Sequence, residues 1–299
     1  MPNAPQMHDQ MRKPPLQCLF IALLCMAAGA ARADGASAAL HARYAELKDR
    51  LQQTQFQKPI HLASAEMPDS ASGEIYAVIA QPFSTVGPGL ERPASWCEVL
   101  ILNLNVKYCR PAGEGRESTL AVSVGKKSFQ PLEQAHRAEF AYRLEARTPD
   151  YLKVTLNAEH GPLGTRNYRL YFEAVPLDEA HSFIHLSYAY GYGLAGKLAM
   201  QFYLGTTGSD KAGFTIVGRE SDGRPRYVGG VRGIVERNTM RYYLAIEAHL
   251  GALSSPPQAR MEKGFRDWFA AAERYPRQLH EMEQDEYLDM KRREYQRQL

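Results

Sequence analysis

The sequence lacks the features by which many enzymes and nucleic-acid-binding proteins are identified. Its 36 Lys and Arg residues nearly balance its 33 Asp and Glu residues, which argues against a nucleic-acid partner, since such proteins carry a clustered basic excess. It has no Gly-x-Ser-x-Gly motif of a serine hydrolase. The glycines at 191, 193 and 196 have the wrong spacing for a dinucleotide site, and no βαβ pattern surrounds them. We therefore predict no catalytic residue, no metal site and no cofactor.

Long hydrophobic runs are confined to the N-terminus. Residues 16–30 form an apolar run that closes on a small-x-small pattern at 31–33, as a signal peptidase site requires. The run is shorter than the roughly 20 residues of a transmembrane helix. A lipoprotein anchor at Cys25 is disfavoured because the residue before it is bulky. We therefore predict a signal peptide over 1–33, cleaved near Ala33, and a periplasmic protein.

Cysteine is also scarce. Of the four cysteines, Cys18 and Cys25 leave with the predicted signal, which leaves Cys97 and Cys109 with eleven residues between them. Two thiols in an oxidising compartment favour one intramolecular disulfide. A redox-active pair is the alternative, but catalytic dithiols usually occur as Cys-x-x-Cys. We predict a structural disulfide that stabilises the fold by roughly 2–3 kcal/mol.

The hydrophobic patterns that the sequence does contain indicate an α+β domain with helical additions at both ends. Apolar residues at helical spacing predict an N-terminal helix over 37–56, within a segment bounded at 34–58. The next elements are a strand hairpin over 60–66 and 73–80 and a helical stretch over 82–104, broken near Pro93.

From residue 118 to residue 192 the hydrophobic period becomes that of a β-strand. Five segments alternate apolar with polar residues and are divided by turns, the pattern of an antiparallel meander with one apolar and one wet face. Residues 231–253 then form the best helix of the chain, preceded by a short hairpin around Asp222-Gly223. Its apolar stripe consists of Val235, Thr239, Tyr242, Ile246, Leu250 and Leu253. We predict that this helix covers the apolar face of the meander.

Two further segments have alternative interpretations. Residues 194–204 are predicted as a short apolar helix that follows several glycines, and it is either a lid over a cavity or a buried packing helix. Residues 254–299 are predicted as a C-terminal helical extension divided at Tyr275-Pro276, with its first half docked on the main domain. For the densely charged last part, a solvated helix or frayed tail is favoured over a helix that binds a partner.

This order of elements resembles the START-like superfamily, also called the SRPBCC, helix-grip or polyketide-cyclase-like fold. The resemblance covers about 59–253 and rests on element order and burial pattern, because the superfamily has no diagnostic motif. It implies a curved antiparallel sheet wrapped around a long C-terminal helix, with a hydrophobic cavity between them. The stretches 96–109 and 235–243 also resemble a group of exported proteobacterial proteins, which implies no function.

The strand phases place a set of aromatic side chains toward the implied cavity: Tyr142, Tyr168, Phe172, Tyr188, Tyr190 and Tyr242. Tyrosine offers an apolar ring with a hydroxyl at its rim, which suits an amphiphilic or aromatic ligand, although these rings would equally fill a core. Arg237 and Arg241, one helical turn apart, are candidates for binding an anionic headgroup. Ion pairing to strand carboxylates or plain solvent exposure is the alternative for both.

The leading hypothesis is a cofactor-free periplasmic protein that binds or carries a lipid or another hydrophobic small molecule. The second is a cyclase- or hydrolase-type enzyme that uses the same cavity, which would need a titrating group with a strongly shifted pKa. The third is a structural protein of the envelope that binds a protein partner through its C-terminal helices.

Overall fold

The computed structural model describes residues 16–194, 196–198 and 211–298, with side chains from residue 33 onwards. The strands within these residues are β1 (Ile60–Met67), β2 (Ser70–Ile79), β3 (Val106–Ala112), β4 (Glu117–Val124), β5 (His136–Arg147), β6 (Leu152–His160), β7 (Thr165–Pro176), β8 (Ser182–Tyr192), β9 (Ile216–Arg219) and β10 (Pro225–Tyr227). The α-helices are α1 (Leu16–Gln52), α2 (Phe83–Leu90), α3 (Pro93–Leu100), α4 (Gly230–Ala252), α5 (Arg260–Ala272), α6 (Pro276–Leu279) and α7 (Gln284–Gln296).

Eight strands form one antiparallel sheet in the order β1-β2-β8-β7-β6-β5-β4-β3. After β2 the chain crosses through α2 and α3 to the far edge, and it then returns strand by strand from β3 to β8, which pairs with β2. Helix α4 packs against β1, β2, β8 and α3. The predicted α+β helix-grip arrangement is therefore confirmed, as are the predicted meander strands and the long helix after them.

Close contact between α4 and the sheet depends on a glycine. A Cβ atom at Gly73 in β2 would lie 2.3 Å from Thr239 Oγ1, so no side chain fits at this position without moving the helix. Thr239 itself is fully buried and donates a hydrogen bond to Val235 O at 2.8 Å. The predicted stripe of α4 thus faces the sheet, and the helix approaches nearest where the strand has no side chain.

Strand β3 is not predicted by the sequence pattern. Its buried positions include Lys107, which is completely inaccessible, and a charged residue breaks the apolar alternation that marks a strand. Cys109 of β3 forms the predicted disulfide with Cys97 of α3, with a Cα–Cα distance of 5.1 Å. The disulfide ties the second crossover helix to the edge strand of the sheet.

The prediction of a wet outer sheet face is wrong over part of the sheet. Helix α1 packs on that face, where Leu40, Leu47 and Leu51 are buried with Tyr76 and Phe183. Because these outward-facing aromatic residues need cover, the N-terminal helix becomes a third layer of the domain. The helix also ends earlier than predicted, at Gln52.

The prediction of a solvated C-terminal tail is also wrong. Helix α7 buries one side completely, with Tyr287 and Met290 in the main core and Lys291 and Glu294 inaccessible beneath them. These positions repeat at i, i+3, i+4 and i+7, the spacing of one helical face. The charged residues on the other sides of the helix conceal this face in the sequence pattern.

The predicted helix 194–204 falls mostly outside the described residues, which omit 195 and 199–210. Leu194 and Leu198, which are described, are exposed. The choice between a lid and a packing helix therefore stays a prediction. In the described part of the chain, no helix combines the length and the apolar character that crossing a membrane requires.

Candidate functional site

A cavity of about 240 Å³ lies between the sheet and α4, where the sequence places it. Strands β4 to β8 supply one wall, α4 supplies the opposite wall, and the end of α3 with the turn after it closes one side. We call this space the inner cavity. Its lining residues are Leu100, Asn103, Asn105, Val124, Lys127, Ala138, Phe140, Leu156, His160, Gly161, Pro162, Tyr168, Arg169, Leu170, Tyr188, Arg237, Asn238, Arg241 and Tyr242.

One wall of the inner cavity is aromatic. Tyr188 lies between Tyr168 and Tyr242, with ring centroids 6.2 Å and 5.1 Å away, and Phe140 packs edge-on against Tyr168. The Tyr168 hydroxyl donates a hydrogen bond to Thr165 Oγ1 at 2.8 Å. Burial raises the pKa of all three tyrosines. Their hydroxyls are therefore neutral donors at physiological pH, set among apolar ring surfaces.

The other three predicted aromatic residues do not line this cavity. The Tyr142 hydroxyl donates to Glu91 O at 2.7 Å, and burial raises its pKa to about 12. Phe172 is fully buried against Trp96. Tyr190 stacks on Tyr168 at a centroid distance of 5.6 Å, behind the lining layer. Strand alternation identifies the inward face, but it does not separate the residues beside the cavity from those that fill the core.

The inner cavity also has a basic wall, formed by Lys127 and by Arg237 and Arg241 of α4. Arg169 of β7 lines the cavity from the side of the sheet and is exposed, and among the described residues no Asp or Glu lines the cavity. Arg237 and Arg241 are each only 2% exposed, which excludes the solvent-exposed alternative. Arg237 donates to Ala212 O at 3.2 Å. Burying two guanidinium groups costs free energy unless partners or a ligand compensate for it.

The carboxylate nearest to this wall belongs to Glu281, in the turn between α6 and α7. Its Oε1 lies 2.7 Å from Arg241 Nη2 and 2.5 Å from Lys127 Nζ, and Lys211 Nζ is 4.0 Å from its Oε2. The predicted alternative of ion pairing is therefore correct for Arg241, although the carboxylate comes from the C-terminal extension and not from a strand. Three cations surround this one carboxylate.

The charges at this wall shift the pKa values of the groups that titrate. Burial would raise the pKa of Glu281, but Arg241 and Lys127 outweigh it, and the net effect is a lowered pKa. Burial and the charge of Arg241 lower the pKa of Lys127 to about 8, although Glu281 acts in the opposite direction. Part of the Lys127 population is consequently a neutral amine near physiological pH.

Arg241 has one donor with no protein partner in the described part of the chain. Its Nη2 contacts Glu281 and its Nη1 lies 3.4 Å from Asn238 Oδ1, but its Nε is buried without a hydrogen bond. A buried donor without an acceptor costs about 1–3 kcal/mol. The basic wall therefore retains hydrogen-bonding capacity that Glu281 does not use.

Lys127 and Glu281 are not identified by any sequence pattern. Lys127 follows β4 in an irregular segment, and Glu281 stands in a short turn with acidic and apolar neighbours. No periodicity marks either residue. Only the fold brings them together, because it places the turn after α6 against the turn after β4.

The inner cavity adjoins a larger hollow of about 780 Å³, which we call the outer groove. The two spaces share Asn105, Val124, Lys127 and Pro162 as lining residues. Glu281 and its neighbours in the C-terminal extension form the opposite side of the outer groove. Lys127 therefore stands at the boundary between the two spaces.

No protein-family model matches the chain, and no curated protein is significantly similar to it. Solved structures give weak likenesses. An aromatase/cyclase from a Streptomyces species shares 13% identity, with 44% of this chain and 70% of that chain covered and a TM-score of 0.30. Norcoclaurine synthase from Thalictrum flavum shares 16% identity over 48% and 89%, with a TM-score of 0.32. A conserved protein from Geobacillus kaustophilus shares 11% identity over 60% and 95%, with a TM-score of 0.35.

These TM-scores are too low to carry an argument, so the fold assignment rests on the topology of the chain itself. The antiparallel sheet, the crossover helices after β2 and the long helix packed on the sheet define a START-like fold. Within this fold, the inner cavity lies between the sheet and α4, with tyrosine rings in its lining.

Proposed function

We propose that this protein binds and carries a small hydrophobic molecule in the inner cavity. The observation that carries the proposal is the space itself, about 240 Å³ between the sheet and α4, lined by tyrosine rings and aliphatic side chains. Ligand sites are concave and mostly apolar, with a few polar groups that orient the ligand. The hydroxyls of Tyr168, Tyr188 and Tyr242 are polar groups of this kind, because they lie among apolar side chains that line the cavity.

The size of the inner cavity narrows the class of ligand. A cavity of about 150 Å³ holds one benzene molecule, so the inner cavity suits a fused two-ring compound or an acyl chain of similar volume. A two-chain lipid exceeds this volume. A longer ligand would extend past Lys127 into the outer groove.

Filling the inner cavity is expected to abolish binding. Ala138 of β5 lines the cavity and is buried, so Ala138→Trp places an indole where the ligand would lie. We expect the affinity for 2-naphthamide, a neutral two-ring probe, to fall at least about tenfold, which corresponds to 1.4 kcal/mol. Isothermal titration calorimetry and probe fluorescence measure the change.

The matched control is Ala141→Trp, because Ala141 lies on the same strand but is exposed. It should bind the probe like the wild type. Near-UV circular dichroism establishes that both variants are folded, and Ala138→Leu provides a milder filling substitution. If the wild type binds neither 2-naphthamide nor its carboxylate analogue 2-naphthoate, or if Ala138→Trp binds the probe unchanged, the proposal is wrong.

We also propose that the protein works in the periplasm. The predicted signal over 1–33 and the disulfide between Cys97 and Cys109 support this location, since disulfides persist in oxidising compartments. Native mass spectrometry of protein from the periplasmic fraction should show a chain that begins near Asp34 with a small apolar molecule bound. An unprocessed chain in the cytoplasmic fraction would contradict this location.

One observation favours an enzyme as the second candidate. Lys127 lines the inner cavity and its pKa is lowered to about 8, and an amine of this kind serves as a general base or forms an imine with a carbonyl substrate. An enzyme of this type would trap 2-naphthaldehyde at Lys127 in the presence of cyanoborohydride, with a rate that rises through pH 8. Mass spectrometry after Lys127→Met should then show no adduct. Equal labelling of all surface lysines would remove this candidate.

A further inference from the structure

We propose that the ligand carries a carboxylate or a similar anionic group, which binds Arg241 and Lys127 in competition with Glu281. This inference rests on the proposed function and adds the charge of the ligand to it. It also gives the C-terminal extension a role, because Glu281 belongs to that extension and already occupies part of the anion site.

The first observation that supports the proposal is the composition of the lining of the inner cavity. Its charged lining residues are all basic within the described chain, and Lys127, Arg237 and Arg241 line it together with aliphatic and aromatic side chains. An amphiphile with an apolar body and an anionic end matches this composition. A cationic ligand would place like charges together in a desolvated site, which costs free energy.

The second observation that supports the proposal concerns the Nε donor of Arg241. The side chain is 2% exposed, and its Nε has no hydrogen-bond acceptor in the described protein. A guanidinium group presents its donors as a planar fork that fits a carboxylate in a bidentate manner. A ligand carboxylate at this guanidinium would supply the acceptor that Nε lacks.

The third supporting observation is that the Glu281 carboxylate already binds the donors proposed for the carboxylate of the ligand. Its carboxylate bridges Arg241 Nη2 and Lys127 Nζ at 2.7 Å and 2.5 Å, and it is held by a short turn outside the helices. With Lys211 also near it, the site has more positive than negative charge. A second carboxylate would therefore be attracted to the site, while Glu281 shares the same donors and weakens its binding.

The test compares 2-naphthoate, which is anionic at pH 7, with its neutral analogue 2-naphthamide on the purified protein. We expect the wild type to bind the carboxylate at least about tenfold more tightly than the amide. Glu281→Gln should strengthen 2-naphthoate binding about tenfold further and leave amide binding unchanged. Lys127→Met, a substitution at a partly exposed position, should weaken 2-naphthoate binding and not amide binding.

The double variant Arg241→Gln/Glu281→Gln removes both charges together and so avoids leaving one of them unpaired. It should lose most of the carboxylate preference that Glu281→Gln shows, because Lys127 is then the only one of the two proposed donors that remains. The matched control is Glu262→Gln, since Glu262 also pairs with arginines in the extension but does not line the cavity. It should leave both affinities unchanged.

The outcomes separate this inference from the proposed function. Binding of neither probe refutes the proposed function, and the inference falls with it. Equal binding of both probes by the wild type and by Glu281→Gln leaves the proposed function standing and overturns the inference. A double variant that keeps the full carboxylate preference of Glu281→Gln overturns it as well, because the anion site would then not include Arg241.

Discussion

Removal of residues 258–299 is expected to unfold the protein instead of yielding a shortened domain. Phe265 and Trp268 of α5 and Tyr287 of α7 are each at most 1% exposed, and they belong to the main hydrophobic core. The Trp268 indole donates to Arg241 O at 3.1 Å, and the Tyr287 hydroxyl donates to Leu102 O at 2.8 Å. The truncation would therefore expose one side of α4 and leave two backbone carbonyls without these donors.

The expected loss of stability exceeds the free energy of unfolding of a typical domain. Loss of a single large aromatic side chain from a core costs about 3–5 kcal/mol, whereas a whole domain is stable by about 5–15 kcal/mol. Near-UV circular dichroism and dye binding should show a chain without fixed tertiary packing. Trp268→Ala should lose about 3–5 kcal/mol in urea unfolding.

The control for Trp268→Ala is Arg266→Ala on the exposed side of α5, which should change the unfolding free energy by less than about 1 kcal/mol. A truncated chain with a cooperative transition equal to that of the full chain would contradict the prediction. The same result bears on the predicted envelope partner. Because the inner faces of α5 and α7 pack on their own domain, a truncation cannot separate loss of a partner from loss of folding.

The second large effect is expected at Glu294, which lies between two buried lysines. Its carboxylate accepts hydrogen bonds from Lys107 Nζ at 2.9 Å and Lys291 Nζ at 2.6 Å, and all three side chains are inaccessible. The two lysines also donate to the backbone carbonyls of Asn103 and Leu104 in the turn after α3 and of Val106 at the start of β3. Glu294→Gln removes the only charge that balances these ammonium groups among the described residues in contact with them.

We expect Glu294→Gln to lower the free energy of unfolding by about 3–5 kcal/mol, the cost of leaving buried charges without their partner. Urea denaturation at pH 7 measures it. Glu262→Gln, which breaks a partly exposed pair, is the control and should cost less than about 1 kcal/mol. Replacing all three residues together by Met, Met and Leu should cost less than Glu294→Gln alone. A loss below about 1 kcal/mol for Glu294→Gln would contradict this account.

The pH dependence gives an independent measurement for the same site. Burial lowers the pKa of Lys291 to about 8, while an unfolded lysine keeps its proton up to about pH 10.4. Between these values the unfolded state binds more protons, so the contribution of Lys291 to stability rises with pH. Because the charge of Glu294 raises the pKa of Lys291, Glu294→Gln lowers this pKa below about 8. The stability deficit of the variant should therefore shrink as the pH rises toward about 8, a range in which Lys291 becomes neutral in the variant before it does so in the wild type.

Element order could be predicted from the sequence because periodicity reports which face of each element is buried. The five meander strands and the stripe of α4 follow directly from their apolar spacing. Prediction failed where a charged residue is buried with a partner distant in the chain. Lys107 conceals β3, and Lys291 with Glu294 conceals the buried face of α7. Each residue looks like a surface position until the fold brings the partners together.

The candidate site could be predicted only in outline for the same reason. Of the eight predicted ligand-binding residues, five line the inner cavity: Tyr168, Tyr188, Arg237, Arg241 and Tyr242. The face of a strand or helix is a local property, and the sequence contains it. The exact place of a void and the approach of Glu281 to Arg241 depend on how distant turns meet, which no local pattern encodes.

If the predicted signal over 1–33 is removed, the packing of α1 constrains when this happens. Ala33, after which the export signal is predicted to end, is itself buried with Tyr76 and Phe183 on the outer sheet face, inside a continuous helix. A peptidase needs its substrate bond in accessible, unstructured chain. If cleavage occurs at this bond, it must come before α1 docks. The exported chain would then lose its signal first, and α1 would pack on the outer face of the sheet afterwards.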